Sequence, residues 1–327
     1  MKPGIIVLLF KIGPKIFAAF VKLAPKLTSG KIILAGASFA SYSFLFSWKF
    51  ALLLMVALSI HESGHVFAMR QHGIKTKGFY FIPFIGGAAV AEEAFPSRSV
   101  EAYVALMGPV WGFFTAVAPA IVYWFTGNPL FAAAAGWIAM FNLFNLLPIS
   151  PLDGGRVAKS LAFSVGTGTT SGYIFLGIGI VLCFALAVFT KMVLFAIILV
   201  AGTFELISEF RARKKIRKIF RKIPPREKLL EQKRQIDEII YKQMILSPSS
   251  PEENYQKLSE GFHEAKLNVE KYLKDWEIFE KRFGGMPRNN VIHTIVAYLG
   301  LIAVLFALMH AMSHVPAADI ALQFLKE

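Results

Sequence analysis

Seven apolar segments, each close to the length needed to cross a lipid bilayer, constrain this chain more than any other feature. A helix crosses the hydrocarbon layer with about 20 mostly apolar residues. Hydrophobic residues fill 55% of the 327 positions and charged residues only 17%, below the roughly 25% of an average soluble domain. We therefore predict an all-α multi-pass membrane protein with about six to seven transmembrane helices. The segments are 32–47, 50–69, 102–125, 130–147, 173–190, 192–208 and 291–312.

Changes in composition divide the chain into five parts. Lysines on one side of residues 1–30 predict an amphipathic helix in the membrane plane, and residues 31–210 form the transmembrane core. A basic juxtamembrane segment, 211–226, follows. Residues 227–287 are charged, with an apolar residue at every third or fourth position, which predicts a cytoplasmic helical hairpin. Residues 288–327 supply a C-terminal transmembrane helix and tail.

The formal net charge of +14 is concentrated beside the predicted membrane segments. Ten Lys and Arg residues lie between Arg211 and Lys228, directly after an apolar segment. Such a block is typical of a cytoplasmic membrane edge that contacts anionic lipid head groups, so we predict no nucleic-acid partner. Arg70 and Arg156 each follow another apolar segment, which places those ends on the cytoplasmic side of a cell membrane as well. A homo-oligomer is compatible with the sequence.

The segment GFYFIPFIGGAAVAEEAFPS, residues 78–97, is too interrupted to form a spanning helix. Its aromatic and β-branched residues surround a turn that contains Phe84, Gly86 and Gly87, which predicts a re-entrant β-hairpin. Irregular backbone at membrane depth is tolerated where protein or a water-filled cavity covers it. The edge of such a hairpin can also pair with an extended peptide, so we predict that these three residues contact a substrate.

The stretch SIHESGHVFA places His61 and His65 four residues apart, with Glu62 beside the first histidine. In a helix both histidines face the same side and can share one Zn²⁺, and the glutamate can act as general base on a water molecule. A second pair, His310 and His314, has the same spacing but no neighbouring carboxylate, so we interpret it as an interfacial polar end of a helix.

A catalytic zinc site needs a third protein ligand. The best candidate is Asp153, in NLFNLLPISPLDGG, because prolines end a helix just before it and two glycines let the backbone turn after it. Glu92, Glu93 and Glu101 lie in or near the preceding loop and are the alternative ligands.

The combination of HESGH with N-x-x-P-x-x-P-L-D-G-G some 80 residues later resembles the site-2 protease family, the M50-type intramembrane zinc metalloproteases. MGPVWG, residues 107–112, resembles the Gly-Pro segment of that family. The resemblance implies that His61, His65 and Asp153 bind zinc and that Glu62 activates the water. It also implies that Asn145 and Pro148 help to accommodate substrate. The loops predicted on the outer side are too short for a PDZ domain, so we expect a compact member.

We therefore predict a zinc metalloendopeptidase that cuts transmembrane protein substrates near the cytoplasmic surface, as in regulated intramembrane proteolysis. One alternative is a metal transporter that uses the same histidines and aspartate as a transient site. Another is a catalytically inactive membrane scaffold. The HExxH glutamate favours hydrolysis, because transport needs no general base.

Overall fold

The computed structural model describes residues 28–315 apart from 85, 166–168, 192 and 247–250. The described part is helical, with one small antiparallel sheet. The helix predicted within residues 1–30 lies almost wholly outside the described residues. In chain order the elements are α1 Thr28–Leu45, α2 Trp48–Gln71, β1 Thr76–Ile82, β2 Gly86–Ala91, α3 Arg98–Thr126, α4 Pro129–Asn145, α5 Asp153–Ala162, α6 Thr169–Thr190, α7 Val193–Phe220, α8 Arg226–Leu246, α9 Pro251–Phe283 and α10 Arg288–Ser313.

Four described helices are long and apolar enough to cross a membrane, namely α2, α3, α6 and α10. Two shorter apolar helices, Gly30–Leu45 within α1 and α4, accompany them. The segment predicted to end at residue 208 instead belongs to α7, which continues without a break into the basic residues up to Phe220. The multi-pass architecture therefore has at least four helices of spanning length among the described residues.

Polar residues at the helix ends explain where several of these helices begin. The side chain of Ser47 accepts a hydrogen bond from the backbone N–H of Phe50 at the start of α2, and Ser97 caps α3 in the same way. Gly127, in the left-handed conformation with φ of 64°, ends α3, and Asn128 caps α4 immediately afterwards. The TGNP sequence thus makes a tight turn between two antiparallel neighbours.

The hydrophobic core lies between α2, α3, α4, α5 and the last helix, α10. Tyr298, Leu301 and Leu305 of α10 belong to one buried cluster with residues of all these elements, including Val157 and the neighbouring Leu146. The Tyr298 hydroxyl donates a hydrogen bond to the carbonyl of Leu146, 2.6 Å away. The last helix is therefore an integral part of the bundle that contains HESGH and Asp153.

The segment predicted to form a β-hairpin does so, with Ile82 paired to Gly86 and Phe81 to Gly87. Phe84 occupies the turn with a positive φ of 65°. One side of β1 is bound by α1, because Lys31 and Tyr42 donate hydrogen bonds to β1 carbonyls. The hairpin also packs on α2, the helix that carries HESGH. Since the described sheet has only two strands, the outer edge of β2 has no strand partner within it.

Candidate metal centre

Three side chains from two helices converge at one buried point. His61 and His65 lie on the same face of α2, one turn apart, and Asp153 is the first residue of α5. Asp153 Oδ2 lies 3.0 Å from His61 Nε2 and 3.2 Å from His65 Nε2. The two Nε2 atoms are 3.2 Å apart. Among the described residues, this is the one group of three or more potential metal ligands that meet.

The hydrogen bonds on the far side of each imidazole determine which nitrogen carries the proton. His65 Nδ1 lies 2.7 Å from the carbonyl of Val104, which can only accept. His61 Nδ1 lies 2.9 Å from Asn142 Oδ1, and the amide nitrogen of Asn142 donates to the carbonyl of Ile138. Both rings therefore donate from Nδ1, which leaves each Nε2 available as a metal ligand.

This arrangement fits a zinc ion. Two imidazole nitrogens and a carboxylate oxygen are ligands that zinc binds in proteins. Zinc binds such ligands at about 2.0–2.2 Å in a tetrahedron, which places neighbouring ligand atoms about 3.3 Å apart. The observed separations of 3.0–3.2 Å are close to that value. Three protein ligands leave one position for water, as catalytic zinc sites require.

Two glycines of α3 make room for the centre. A Cβ atom at Gly108 would lie 2.2 Å from His65 Nε2 and 2.7 Å from His61 Nε2. At Gly112, a Cβ would lie 1.8 Å from Asn142 Oδ1. Any side chain at these positions would displace the ligands or the asparagine that orients one of them. The glycines of the GPVWG segment therefore leave room on α3 for the two histidines and Asn142.

Glu62 lies beside His61 and is covered by the hairpin. It is buried, with 6% of its surface exposed. A Cβ at Gly87 would lie 2.6 Å from Glu62 Cγ and 2.8 Å from Glu62 Oε1. Gly87 of strand β2 thus lies directly against the side chain of Glu62. This contact places the predicted general base against the face of strand β2.

The other predicted substrate residues are not all at the centre. Asn145 lines a small cavity together with His61 and Asn142. Pro148 is exposed in the turn between α4 and α5. Phe84 is 57% exposed at the tip of the hairpin, next to Gly86. The structure therefore brings Asn145 and Gly87 to the site and leaves Phe84, Gly86 and Pro148 at its periphery.

The alternative third ligands lie away from the histidines. Glu92 and Glu93 lie beyond the end of β2, where both are exposed and Glu93 lies 4.0 Å from Lys75. Glu101 is buried, and it pairs with Arg98 at 2.8 Å and with Lys159 at 2.6 Å. None of the three belongs to the cluster of His61, His65 and Asp153.

Asn142 and a buried ion-pair network were not predicted from the sequence. Asn142 is a polar residue in an otherwise apolar helix. A polar side chain is energetically unfavourable in a membrane, and its presence there could have indicated a functional role. In the network, Lys159 lies between Glu101 and Glu205, while Arg98 joins Glu101 to Glu209. Glu205 also accepts a hydrogen bond from Ser150. The network thereby holds the chain on both sides of Asp153.

The second histidine pair lies at the exposed end of α10. His310 Nε2 and His314 Nε2 are 3.0 Å apart, and the ring of His310 stacks on Phe306. Within the described residues no carboxylate joins them in a metal-binding group. The pair stays interpreted as a polar helix end.

Comparison with known proteins places the HESGH helix in a recognised family segment. Residues 49–135 match peptidase family M50. A zinc metalloprotease from Methanocaldococcus jannaschii is 28% identical over 135 residues, which are 40% of this chain and 39% of that protein. A putative zinc metalloprotease from Synechocystis is 33% identical over 129 residues, 37% of this chain and 33% of its own length. The site-2 protease structure from M. jannaschii aligns with 54% of this chain and 85% of its own, at 26% identity and a TM-score of 0.38.

The match to family M50 and the matches to the two metalloproteases confirm the resemblance predicted from HESGH. They span less than half of each of the two metalloproteases, and the M50 segment contains His61, Glu62 and His65 but ends before Asp153. The third candidate ligand therefore rests on its geometry in this chain.

Proposed function

We propose that this chain, whose residues 49–135 match peptidase family M50, is an intramembrane zinc metalloprotease. It hydrolyses peptide bonds of membrane-embedded protein substrates. The observation that carries the proposal is the convergence of His61 Nε2, His65 Nε2 and Asp153 Oδ2 within 3.2 Å of one another. A carboxylate adjoins this cluster in the HExxH arrangement of metalloproteases.

In this proposal His61, His65 and Asp153 hold the zinc, and Asn142 and the Val104 carbonyl keep the two imidazoles in the ligating tautomer. A zinc ion bound there polarises the scissile carbonyl and lowers the pKa of water at the site toward about 7. Glu62 takes the proton of the attacking water and later delivers it to the leaving amine. Its burial beneath Gly87 keeps the carboxylate in place for both transfers.

The substrate binds as an extended strand against β2. In a helical substrate each carbonyl is already hydrogen-bonded to its own backbone, so the cleaved segment has to unwind. The edge of β2 has no strand partner in the described sheet, and Gly87 on that strand touches Glu62. Pairing there satisfies the unwound backbone and presents a carbonyl beside the general base. Asn145, Pro148, Phe84 and Gly86 complete the substrate contacts.

The remaining features concern the membrane. We propose six to seven spans, with the hairpin re-entrant and the metal centre toward the cytoplasmic side of the cell membrane. Arg70 follows the metal-binding face of α2, and the basic segment 211–228 follows the apolar part of α7. Arg70 and the basic segment lie against anionic head groups of the inner leaflet. Helices α8 and α9 form a hairpin on the same side of the membrane.

The test combines metal content with cleavage in the full chain purified in detergent. We expect one zinc per chain by mass spectrometry, lost in Asp153→Ala and kept in His310→Ala. The Glu62→Gln variant keeps its zinc and loses cleavage of a single-pass reporter substrate. Undiminished cleavage by Glu62→Gln would refute the general-base assignment. Zinc retained by Asp153→Ala would refute the ligand set, and transport of zinc into vesicles without any cleavage would favour the transporter.

A further inference from the structure

A second concave site lies where the apolar part of α7 gives way to its basic end. Residues 210–221, at the end of α7, and Tyr173 of α6 border an open cavity of about 710 Å³, within the range of about 300–1,000 Å³ typical of small-molecule sites. Its walls carry six cationic side chains between Arg211 and Arg221, together with the aromatic rings of Tyr173 and Phe210. The sequence predicted a basic segment there but no cavity.

Most of these cations have no acidic partner. Arg213 pairs with Glu209 at 2.9 Å and donates a hydrogen bond to Thr169. The other five, namely Arg211, Lys214, Lys215, Lys218 and Arg221, make no ion pair with any described residue. Like charges collected around one cavity repel each other, and an anion bound among them removes that repulsion. The charge of the cavity therefore favours an anionic ligand.

The surroundings indicate that this ligand is also apolar. Tyr173 and Phe210 have ring centroids 6.2 Å apart, and tyrosine is enriched at membrane interfaces. Along the apolar parts of α6 and α7, large apolar side chains are exposed, including Ile174, Ile178 and Phe204. A soluble anion would use the cations and leave this apolar surface uncovered, whereas an amphiphile covers both.

We propose that the cavity binds the head group of an anionic phospholipid. The phosphate lies among Lys214, Lys215 and Lys218, and the acyl chains lie along the exposed apolar faces of α6 and α7. This site is separate from the metal centre, and the proposal does not depend on proteolytic activity. It goes beyond general attraction to a charged membrane because it assigns a bound lipid to one cavity.

Lipid retention by the full chain tests the proposal. The protein in neutral detergent is titrated with phosphatidylglycerol or phosphatidylcholine, and bound lipid is counted by native mass spectrometry. We expect one phosphatidylglycerol retained in preference to phosphatidylcholine, with retention falling as salt rises. Replacing Lys214, Lys215 and Lys218 together by Gln should weaken that binding about 100-fold, from the contribution of each cation at a membrane surface.

The matched control replaces three exposed lysines of α8 and α9, namely Lys242, Lys271 and Lys274, by Gln. This control removes the same charge and should leave lipid retention within about twofold. Zinc content verifies that both triple variants are folded. Equal losses in the two variants, or no preference of the wild type for phosphatidylglycerol, would overturn the site. Glycerol 3-phosphate or a polyglutamate peptide that competes as well as the phospholipid would also overturn it, in favour of a soluble anion or an acidic protein segment.

Discussion

Replacement of Lys159 by Met tests whether the buried ion-pair network stabilises the fold around the metal centre. Lys159 Nζ lies 2.6 Å from Glu101 Oε1 and 2.5 Å from Glu205 Oε1, and only 6% of its side chain is exposed. Methionine has a similar length and no charge. The change therefore removes one cation from between two carboxylates with little change in packing.

Loss of one partner of a buried ion pair typically costs about 3–5 kcal/mol, because the remaining charge is left uncompensated. Glu101 keeps Arg98 at 2.8 Å, whereas Glu205 keeps only the hydroxyl of Ser150 among its described partners. One carboxylate rather than two is thus left without a cation, and we expect destabilisation of about 3 kcal/mol. Because Ser150 and Lys159 flank Asp153, zinc affinity should also fall about 10–100-fold, as when other groups that support metal ligands are changed.

Unfolding in mixed micelles titrated with a denaturing detergent measures the stability, and competition with a chelator measures the zinc affinity. Lys242→Met is the matched control, because Lys242 pairs with Glu238 at 2.7 Å while both side chains are more than half exposed. An exposed pair of this kind contributes about 0–1 kcal/mol. Equal stability losses in the two variants, or unchanged zinc affinity in Lys159→Met, would refute the reasoning.

Three further predictions concern the same region. Gly87→Ala should reduce cleavage at least about tenfold while zinc is retained, because the added Cβ would lie 2.6 Å from Glu62. Gly177→Ala is the control and should leave cleavage unchanged, because a Cβ there would have no atom within 4 Å. Asn142→Leu should weaken zinc binding about 10–100-fold in the chelator assay. Burial lowers the pKa of Lys159, but Glu101 and Glu205 outweigh it and raise that pKa above its usual value. The stability difference between wild type and Lys159→Met should therefore be constant from neutral pH up to about pH 10.4 and shrink at higher pH, as followed by unfolding across that range.

Local patterns in the sequence were enough to locate much of the site. The spacing of His61 and His65 predicts a shared helix face, and α2 presents both Nε2 atoms to one point. The turn residues after β1 predict a hairpin, which is observed. These features follow from neighbours three or four residues apart, so no tertiary information is needed.

The third ligand could not be chosen from spacing alone. Asp153, Glu92, Glu93 and Glu101 all lie within about 60 residues of one another in the chain, and each carries a carboxylate. Their positions and contacts in the fold differ because each is set by residues far away in the sequence, such as Lys159, which pairs with Glu101. Glu205 was likewise counted within an apolar segment, although a carboxylate there is costly and indicates a buried cation.

The position of Asp153 depends on helices that lie outside the family segment. On its N-terminal side, Tyr298 of α10 binds the carbonyl of Leu146, and a Cβ at Gly154 would lie 2.0 Å from that same oxygen. Helix α7 approaches the chain at Ser150 and, through Glu205, at Lys159. Histidines supplied by one helix need only that helix to be aligned, whereas the carboxylate needs α5, α7 and α10 packed together. Assembly of the metal centre is therefore coupled to packing of the whole bundle, and zinc binding should stabilise those late helices in return.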